Sequence, residues 1–207
     1  MPGLRGEPFI PDPPGPSDDR FSRSFKPWRE WNVAVNFLTN LHCGFDESQV
    51  YCAPRDPPDV VYKECSFEVK EILDAGRKRH DEVKAALIAS PGVESSKPQI
   101  AEYSPKDLPP EFVGQLVLSE LKRIALKPNY KPSVCSSFDL LLYVNLLEHW
   151  FEEGPMPRPS LFSVFGWRSV SAVVASDTSL VLFADDCAPL LLRANAGRIR
   201  TRWESLD

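Results

Sequence analysis

Three polar residues lie on two neighbouring segments whose alternation of apolar and polar side chains predicts a short β-hairpin. Asp59 falls on the first predicted strand, and Glu68 and Lys70 fall on the second. Side chains alternate across a strand, so Glu68 and Lys70 share a face. A two-residue turn at Glu64 and Cys65 would place Asp59 opposite Lys70. Two carboxylates and a lysine in one patch can hold a divalent cation and activate a water against a phosphodiester.

The spacing of an acid and a lysine two residues apart carries little information by itself. It recurs at Glu82 with Lys84 and at Glu120 with Lys122, in segments predicted as helices. Residues two apart do not share a helix face, so these two pairs predict no site. The inference therefore depends on the hairpin context of Glu68. The alternative is a solvated hairpin face with an ordinary surface ion pair.

Composition limits the class of protein. The 207 residues are 43% hydrophobic and 26% charged, which predicts one soluble globular domain with a core. The net charge of -5 argues against a general nucleic-acid coat protein but allows a local basic groove. The five scattered cysteines include no Cys-x-x-Cys pair, which argues against a zinc site and favours reduced thiols in the cytoplasm. No stretch approaches the roughly 18 apolar residues of a membrane span, so no membrane contact is expected.

Proline and glycine dominate the N-terminal region. Residues 2, 8, 11, 13, 14 and 16 are all proline, which is incompatible with a helix or a central strand. We therefore predict a flexible arm over residues 1–26 and a single folded domain over residues 27–207. The arm is either a partner-binding tail or an unselected terminus.

Hydrophobic spacing predicts the elements that must position the polar triplet. Helices are predicted at Pro27–Leu41, Arg77–Ser90, Glu111–Lys127 and Pro189–Asn195. Strands are predicted at Glu47–Ala53, Asp59–Lys63, Ser66–Leu73, Phe138–Leu147, Trp167–Ala175 and Ser179–Ala184. The nearly continuous apolar run from Phe138 is typical of a strand buried on both faces, and the last two strands form a second hairpin.

This order of a helix, a three-strand meander, helices and a buried strand resembles the core of the PD-(D/E)XK nuclease superfamily, the restriction-endonuclease-like fold. The resemblance implies an α/β (α+β) fold, in which helices flank a mixed sheet that contains the meander. It implies that Asp59, Glu68 and Lys70 are catalytic. It also implies that Asp59 and Glu68, joined by Glu30 on the first helix, hold Mg²⁺ or Mn²⁺.

Several shorter motifs resemble one bacterial family of unknown function whose members are named as candidate endonucleases. They are Pro57-Pro-Asp-Val60, Ser66-Phe-Glu-Val69, Leu73-Asp-Ala-Gly-Arg77, Gly166-Trp-Arg-Ser-Val-Ser171, Leu182-Phe-Ala184 and Asn195-Ala-Gly-Arg198. The resemblance covers most of residues 28–200. It implies a metal-dependent endonuclease that acts on DNA.

Basic side chains elsewhere in the chain are candidates for phosphate contacts with DNA. The candidates are Arg77, Arg79, Lys122, Lys127, Arg193, Arg198 and Arg200. The alternative is ordinary solvated surface charge, since cations are favoured near helix C-termini. Two function classes therefore stay open: an endonuclease, and a catalytically silent module of the same fold that binds nucleic acid or a protein partner. A homodimer is compatible with either.

Overall fold

The computed structural model describes residues 7–15, 22–74, 76 and 105–204. The strands in these ranges are β1 (Val50–Cys52), β2 (Val60–Tyr62), β3 (Cys65–Leu73), β4 (Lys106–Leu108), β5 (Asp139–Asn145), β6 (His149–Phe151), β7 (Ser169–Val174), β8 (Thr178–Ala184) and β9 (Ile199–Thr201). The α-helices are α1 (Lys26–Asn40), α2 (Pro110–Ala125), α3 (Pro132–Cys135), α4 (Ser160–Ser163) and α5 (Leu190–Asn195).

Within the described ranges, seven strands form one mixed sheet in the order β1-β2-β3-β5-β7-β8-β9. The two ends of this sheet are antiparallel, whereas β3, β5 and β7 run parallel in its centre. The predicted mixed sheet with a three-strand meander and flanking helices is therefore confirmed. A separate parallel pair of three-residue strands, β4 with β6, was not predicted.

Two hydrophobic cores lie on opposite faces of the sheet, one under α1 and the other under α2. Alternate residues of β5 supply both: Leu141 packs with the α1 core, and Leu140 and Leu142 pack with the α2 core. The prediction of a strand buried on both faces is confirmed. Because parallel strands need a crossover between them, this central position requires the chain to leave the sheet after β3 and return.

Helix α1 matches the predicted helix within one residue at each end. Pro27 lies in its first turn, where the missing N–H costs nothing, and Ala34 and Leu38 are buried against the sheet. The chain leaves the helix through two left-handed residues, His42 (φ 51°) and Gly44 (φ 60°). Glycine adopts this conformation without the strain that a side chain causes.

The predicted register of the β2–β3 hairpin is wrong by two residues. Tyr62 pairs with Cys65, so the turn consists of Lys63 and Glu64, with Lys63 in a left-handed conformation (φ 49°). Because the side-chain period of a strand is two, this shift leaves every side chain on its predicted face. Asp59 therefore stays close to the polar face of β3, although it does not lie opposite Lys70.

The other predicted elements have mixed outcomes. The second hairpin, helix α2 and the short helix α5 are confirmed, with ends that differ by at most two residues. The strand predicted from Glu47 begins at Val50, because Glu47–Gln49 forms a 3₁₀ turn. The helix predicted at Arg77–Ser90 lies outside the described residues.

Part of the predicted N-terminal arm contacts the sheet. The Cys52 N–H donates to the Phe9 carbonyl oxygen (2.8 Å), and the Phe9 N–H donates back to the Cys52 carbonyl oxygen (3.4 Å). Phe9 thereby covers a portion of the outer edge of β1, where unpaired backbone groups would otherwise face solvent.

All five cysteines are free thiols in the structure. None of the helices in the described part of the chain is long and apolar enough to cross a membrane.

A candidate metal centre at the edge of β3

Asp59 is fixed by the backbone of β3. Its N–H donates to the Phe67 carbonyl oxygen, and its carboxylate Oδ2 accepts the Val69 N–H, each at 2.9 Å. Strand β2 begins only at Val60, so the carboxylate takes the place of a backbone partner at this point of the edge. Such a bond holds the buried Asp59 side chain in one orientation.

Glu68 projects from the middle of β3 and is fully buried. Its Oε1 accepts hydrogen bonds from Lys70 Nζ and from the Tyr130 hydroxyl, the latter at 2.5 Å. Its Oε2 is also buried but has no hydrogen-bond partner among the described residues. An unbonded buried carboxylate oxygen costs free energy, so this position favours a cation or a proton.

Three carboxylates converge beside the part of β3 that lies beyond the start of β2. Asp56, Asp59 and Glu68 each present an oxygen, and these oxygens lie within 4.8 Å of one another. One Mg²⁺ or Ca²⁺ ion holds its oxygen ligands at roughly 2.0–2.6 Å, so two ligands of one ion are separated by at most about 5 Å. The acidic cluster, defined as Asp56, Asp59 and Glu68, could therefore bind a single metal ion.

Two lysines flank the acidic cluster from different elements. Lys70 Nζ lies 3.7 Å from Asp59 Oδ2, and its other contacts are Glu68 Oε1 and the Val69 carbonyl oxygen (3.0 Å). Lys26 Nζ, in the first turn of α1, lies 3.1 Å from Asp59 Oδ1. Asp59 therefore faces one ammonium group with each of its oxygens.

Glu30, predicted as a metal ligand, lies beside the cluster but not within it. Its Oε1 is 2.9 Å from Lys26 Nζ, which also contacts Asp59. The structure thus places the Lys26 ammonium group between the Glu30 and Asp59 carboxylates. Glu30 is therefore linked to Asp59 through Lys26, and its role as a metal ligand stays a prediction.

Burial and mutual repulsion shift the ionisation of these carboxyl groups. Burial, followed by the charge of Asp59, raises the pKa of Glu30 to about 7. The same two causes raise the pKa of Glu68, although Lys70 and Tyr130 oppose the shift. Carboxylates crowded in this way are relieved by a bound cation or by a proton.

The neighbouring donors stay protonated. Burial alone would lower the pKa of Lys70, but the carboxylates of Asp59 and Glu68 outweigh it and raise that pKa. Burial and the bond to Glu68 raise the pKa of Tyr130 to about 12. At neutral pH Lys70 is therefore a cation, and Tyr130 is a neutral donor that fixes one oxygen of Glu68.

The predicted phosphate contacts are scattered. Lys127 Nζ lies 6.0 Å from the centre of the Tyr130 ring and so stands near the cluster, whereas Lys122 is an exposed residue of α2. Around β9, at the end of the sheet order opposite to the meander, lie Arg193, Arg198 and Arg200. Arg200 there bonds Asn195 and Glu204. The remaining candidates, Arg77 and Arg79, lie outside the described residues.

Sequence reasoning missed Asp56, Lys26 and the contact of Tyr130 with Glu68. Two of these left a signal: Asp56 is separated from Asp59 by two prolines, and Lys26 precedes Glu30 by one helical turn. Tyr130 lies 62 residues from Glu68 and left none, because only the tertiary fold brings these residues together.

Comparisons with known proteins give two different descriptions. A family model described as "Putative endonuclease, protein of unknown function (DUF1780)" matches residues 16–204. A solved structure from Pseudomonas aeruginosa strain PAO1, described as a protein of unknown function of the monooxygenase superfamily, is 26% identical with a TM-score of 0.64. That match covers 88% of this chain and 84% of the other. No curated protein matches the sequence.

Proposed function

This chain belongs to the DUF1780 family of endonuclease candidates, and from that premise we propose that it is a metal-dependent endonuclease that hydrolyses DNA phosphodiester bonds. The observation that carries the proposal is the convergence of Asp56, Asp59 and Glu68 beside Lys70. The PD-(D/E)XK assignment, with Asp59, Glu68 and Lys70 as catalytic residues, is part of the proposal.

The residues of the acidic cluster fit Mg²⁺ or Mn²⁺. All three donors are carboxylate oxygens, which such hard cations prefer, and Glu68 Oε2 is a buried oxygen without a bond in the described structure. Asp59 and Glu68 would hold the ion, with the exposed Asp56 completing the protein's share of ligands. When bound, the ion would supply charge neutralisation at the scissile phosphate and a more acidic water.

The surrounding side chains have distinct roles in this proposal. Lys70, held by Glu68 and the Val69 carbonyl, orients the attacking water and stabilises the negative charge that develops on the phosphate. Lys26 approaches from α1 with 51% of its side chain exposed, so it can contact a neighbouring phosphate oxygen. Tyr130 keeps Glu68 Oε1 occupied and leaves Oε2 for the ion.

The monooxygenase description of the Pseudomonas protein has less support from the residues of this site. Non-haem iron oxygenases hold iron with two histidines and one carboxylate. Of the histidines in the described ranges, His42 donates to the Thr201 carbonyl oxygen (2.8 Å), and His149 lies 3.9 Å from Asp74. Neither belongs to the acidic cluster, whose carboxylate oxygens suit a hard cation such as Mg²⁺ or Mn²⁺.

A cleavage assay tests the proposal. Supercoiled plasmid and single- and double-stranded oligonucleotides are incubated with Mg²⁺, with Mn²⁺ or with EDTA. We expect metal-dependent cutting by the wild type and a loss of at least about a hundredfold in Asp59→Asn, Glu68→Gln and Lys70→Met, because each removes a ligand or the charge at the phosphate.

A second acid-x-Lys pair supplies the matched control. Glu120 has the same spacing to a lysine but lies on helix α2, and the control variant Glu120→Gln should cut like the wild type. DNA binding without metal-dependent cleavage would favour the silent module instead. Cleavage that survives in Glu68→Gln would exclude the cluster as its origin.

A further inference from the structure

A cleft of about 540 Å³ opens between α1 and the strands β3 and β5, directly beside the acidic cluster. Lys26, Glu30 and Lys70 line this cleft and also contact one another or the cluster. A volume of this size is typical of a small-molecule site. Whatever occupies the cleft would therefore lie within reach of the groups proposed to act on a phosphate.

Several of the other lining residues have the chemistry that recognises a nucleotide, and the lining also includes the carboxylate of Glu71. Trp28 and Tyr143 supply aromatic rings, Asn32 supplies an amide, and Arg23 and Arg29 supply guanidinium groups. Unstacked bases bind by stacking on aromatic rings and by hydrogen bonds to their edges, while arginines contact phosphates or stack on the bases. The cleft combines all of these group types within one small volume.

From this juxtaposition we infer that the cleft holds one unstacked nucleotide of a single strand, with an adjacent phosphate at the acidic cluster. The inference rests on the proposed function, because that function defines the cluster as the place of the scissile phosphate. It adds the substrate class: single-stranded nucleic acid, or a strand with a base flipped out.

Two observations favour a single strand over an intact duplex. Bases in a duplex are stacked on one another, so their faces cannot reach Trp28 unless the base is extruded. A duplex is also held chiefly by many phosphate contacts, and the chain carries a net charge of -5.

Binding in EDTA tests this inference separately from catalysis. Fluorescence polarisation compares a labelled oligo-dT strand with a hairpin duplex of the same strand length. We expect the single strand to bind at least about tenfold more tightly than the duplex. Trp28→Ala should weaken single-strand binding about five- to hundredfold, as expected for the loss of one stacked base.

Three further variants test whether a loss of binding is specific to the aromatic ring and to the cleft. Trp28→Phe keeps an aromatic ring and should retain most of the binding. Arg23→Ala changes an exposed residue, so it should fold and bind the strand more weakly, with a shallower salt dependence. Trp203→Ala removes a 79% exposed tryptophan that does not line the cleft, and binding should be unchanged.

The outcomes separate this inference from the proposed function. Equal or tighter duplex binding, or unchanged binding by both Trp28→Ala and Arg23→Ala, overturns the inference even if the protein cuts DNA with Mg²⁺. Single-strand binding that depends on Trp28 supports the inference, whether or not the protein cuts DNA. Absence of metal-dependent cleavage would overturn only the proposed hydrolysis.

Discussion

Burial and the charge of Asp59 make ionisation of Glu30 and Glu68 costly, and the lysines beside the acidic cluster offset only part of this cost. Both carboxyl groups are removed from water and stand near the charge of Asp59, so their pKa values are raised. Lys26 and Lys70 compensate by ion pairs. Placing like charges together in a buried position is costly for stability and is typical of sites that bind a cation or move a proton.

The raised pKa of Glu30 predicts a specific dependence of stability on pH. Its pKa rises from 4.5 to about 7 on folding, so the folded protein holds this proton more tightly than the unfolded chain. The resulting contribution to stability is fully present below about 4.5 and is lost as the pH rises through about 7.

Urea unfolding of wild type and of Glu30→Gln, at about pH 5 and about pH 8 in EDTA, measures this contribution. We expect the wild type to lose more unfolding free energy between the two pH values than the variant, which cannot titrate at this position. Glu47 is exposed, so the variant Glu47→Gln serves as control and should lose as much unfolding free energy between the two pH values as the wild type. Parallel losses in wild type and Glu30→Gln would show that Glu30 has an ordinary pKa.

At the scale of elements, the predicted hairpin shows why part of the site could be found from sequence. The period of two placed Glu68 and Lys70 on one face, and the two-residue error in register did not change that face. The order of strands in the sheet could not be predicted from this alternation of side chains. The parallel pairing of Glu68 with Leu140 joins segments that are far apart in sequence, and no local pattern specifies it.

Asp139 ties the three parallel strands together at one end. Its buried carboxylate accepts hydrogen bonds from the Ser66 N–H at the start of β3, from the Ser169 hydroxyl of β7 (each 2.9 Å), and from the Arg168 guanidinium group. Removing one partner from a buried charge pair leaves the other charge uncompensated. This network therefore holds β3, and with it the acidic cluster, in register with β5.

We expect Asp139→Asn to lower the free energy of unfolding by about 3 kcal/mol, which is the lower end of the range for a broken buried ion pair. Denaturant unfolding in EDTA measures the loss. Asp107→Asn, at an exposed position of β4, should change stability by less than about 0.5 kcal/mol. A loss for Asp139→Asn no larger than that of the control would show that the network contributes nothing net.

Helix α2 contains a glycine in its interior, where alanine would ordinarily be more stable by up to about 1 kcal/mol. A Cβ at Gly114 would lie 2.9 Å from Pro157 Cγ and 3.0 Å from its Cβ, and the proline ring is stiff. We therefore expect Gly114→Ala to be destabilising despite its better helix propensity, while the exposed Gln115→Ala is nearly neutral. A higher thermal midpoint for Gly114→Ala would mean that Pro157 moves aside freely.

At the scale of the whole molecule, the acidic cluster and the C-terminal arginines lie towards opposite ends of the strand order. The acidic cluster lies at the meander end, and the arginines of the C-terminal region surround β9 at the other end. The sequence suggested that both sets act on DNA. The observed strand order instead concentrates the proposed chemistry on β3, α1 and the loop after α2, which supply Glu68, Lys26 and Tyr130.

Mn²⁺ binding measured by isothermal titration calorimetry tests most directly whether the acidic cluster is a divalent metal site. We predict that the wild type binds Mn²⁺, and that Asp59→Asn and Glu68→Gln each bind it at least about tenfold more weakly while staying folded, since each removes a charged ligand. Glu120→Gln should bind like the wild type. Absence of Mn²⁺ binding by the folded wild type, or equal binding by Glu68→Gln, would contradict the account.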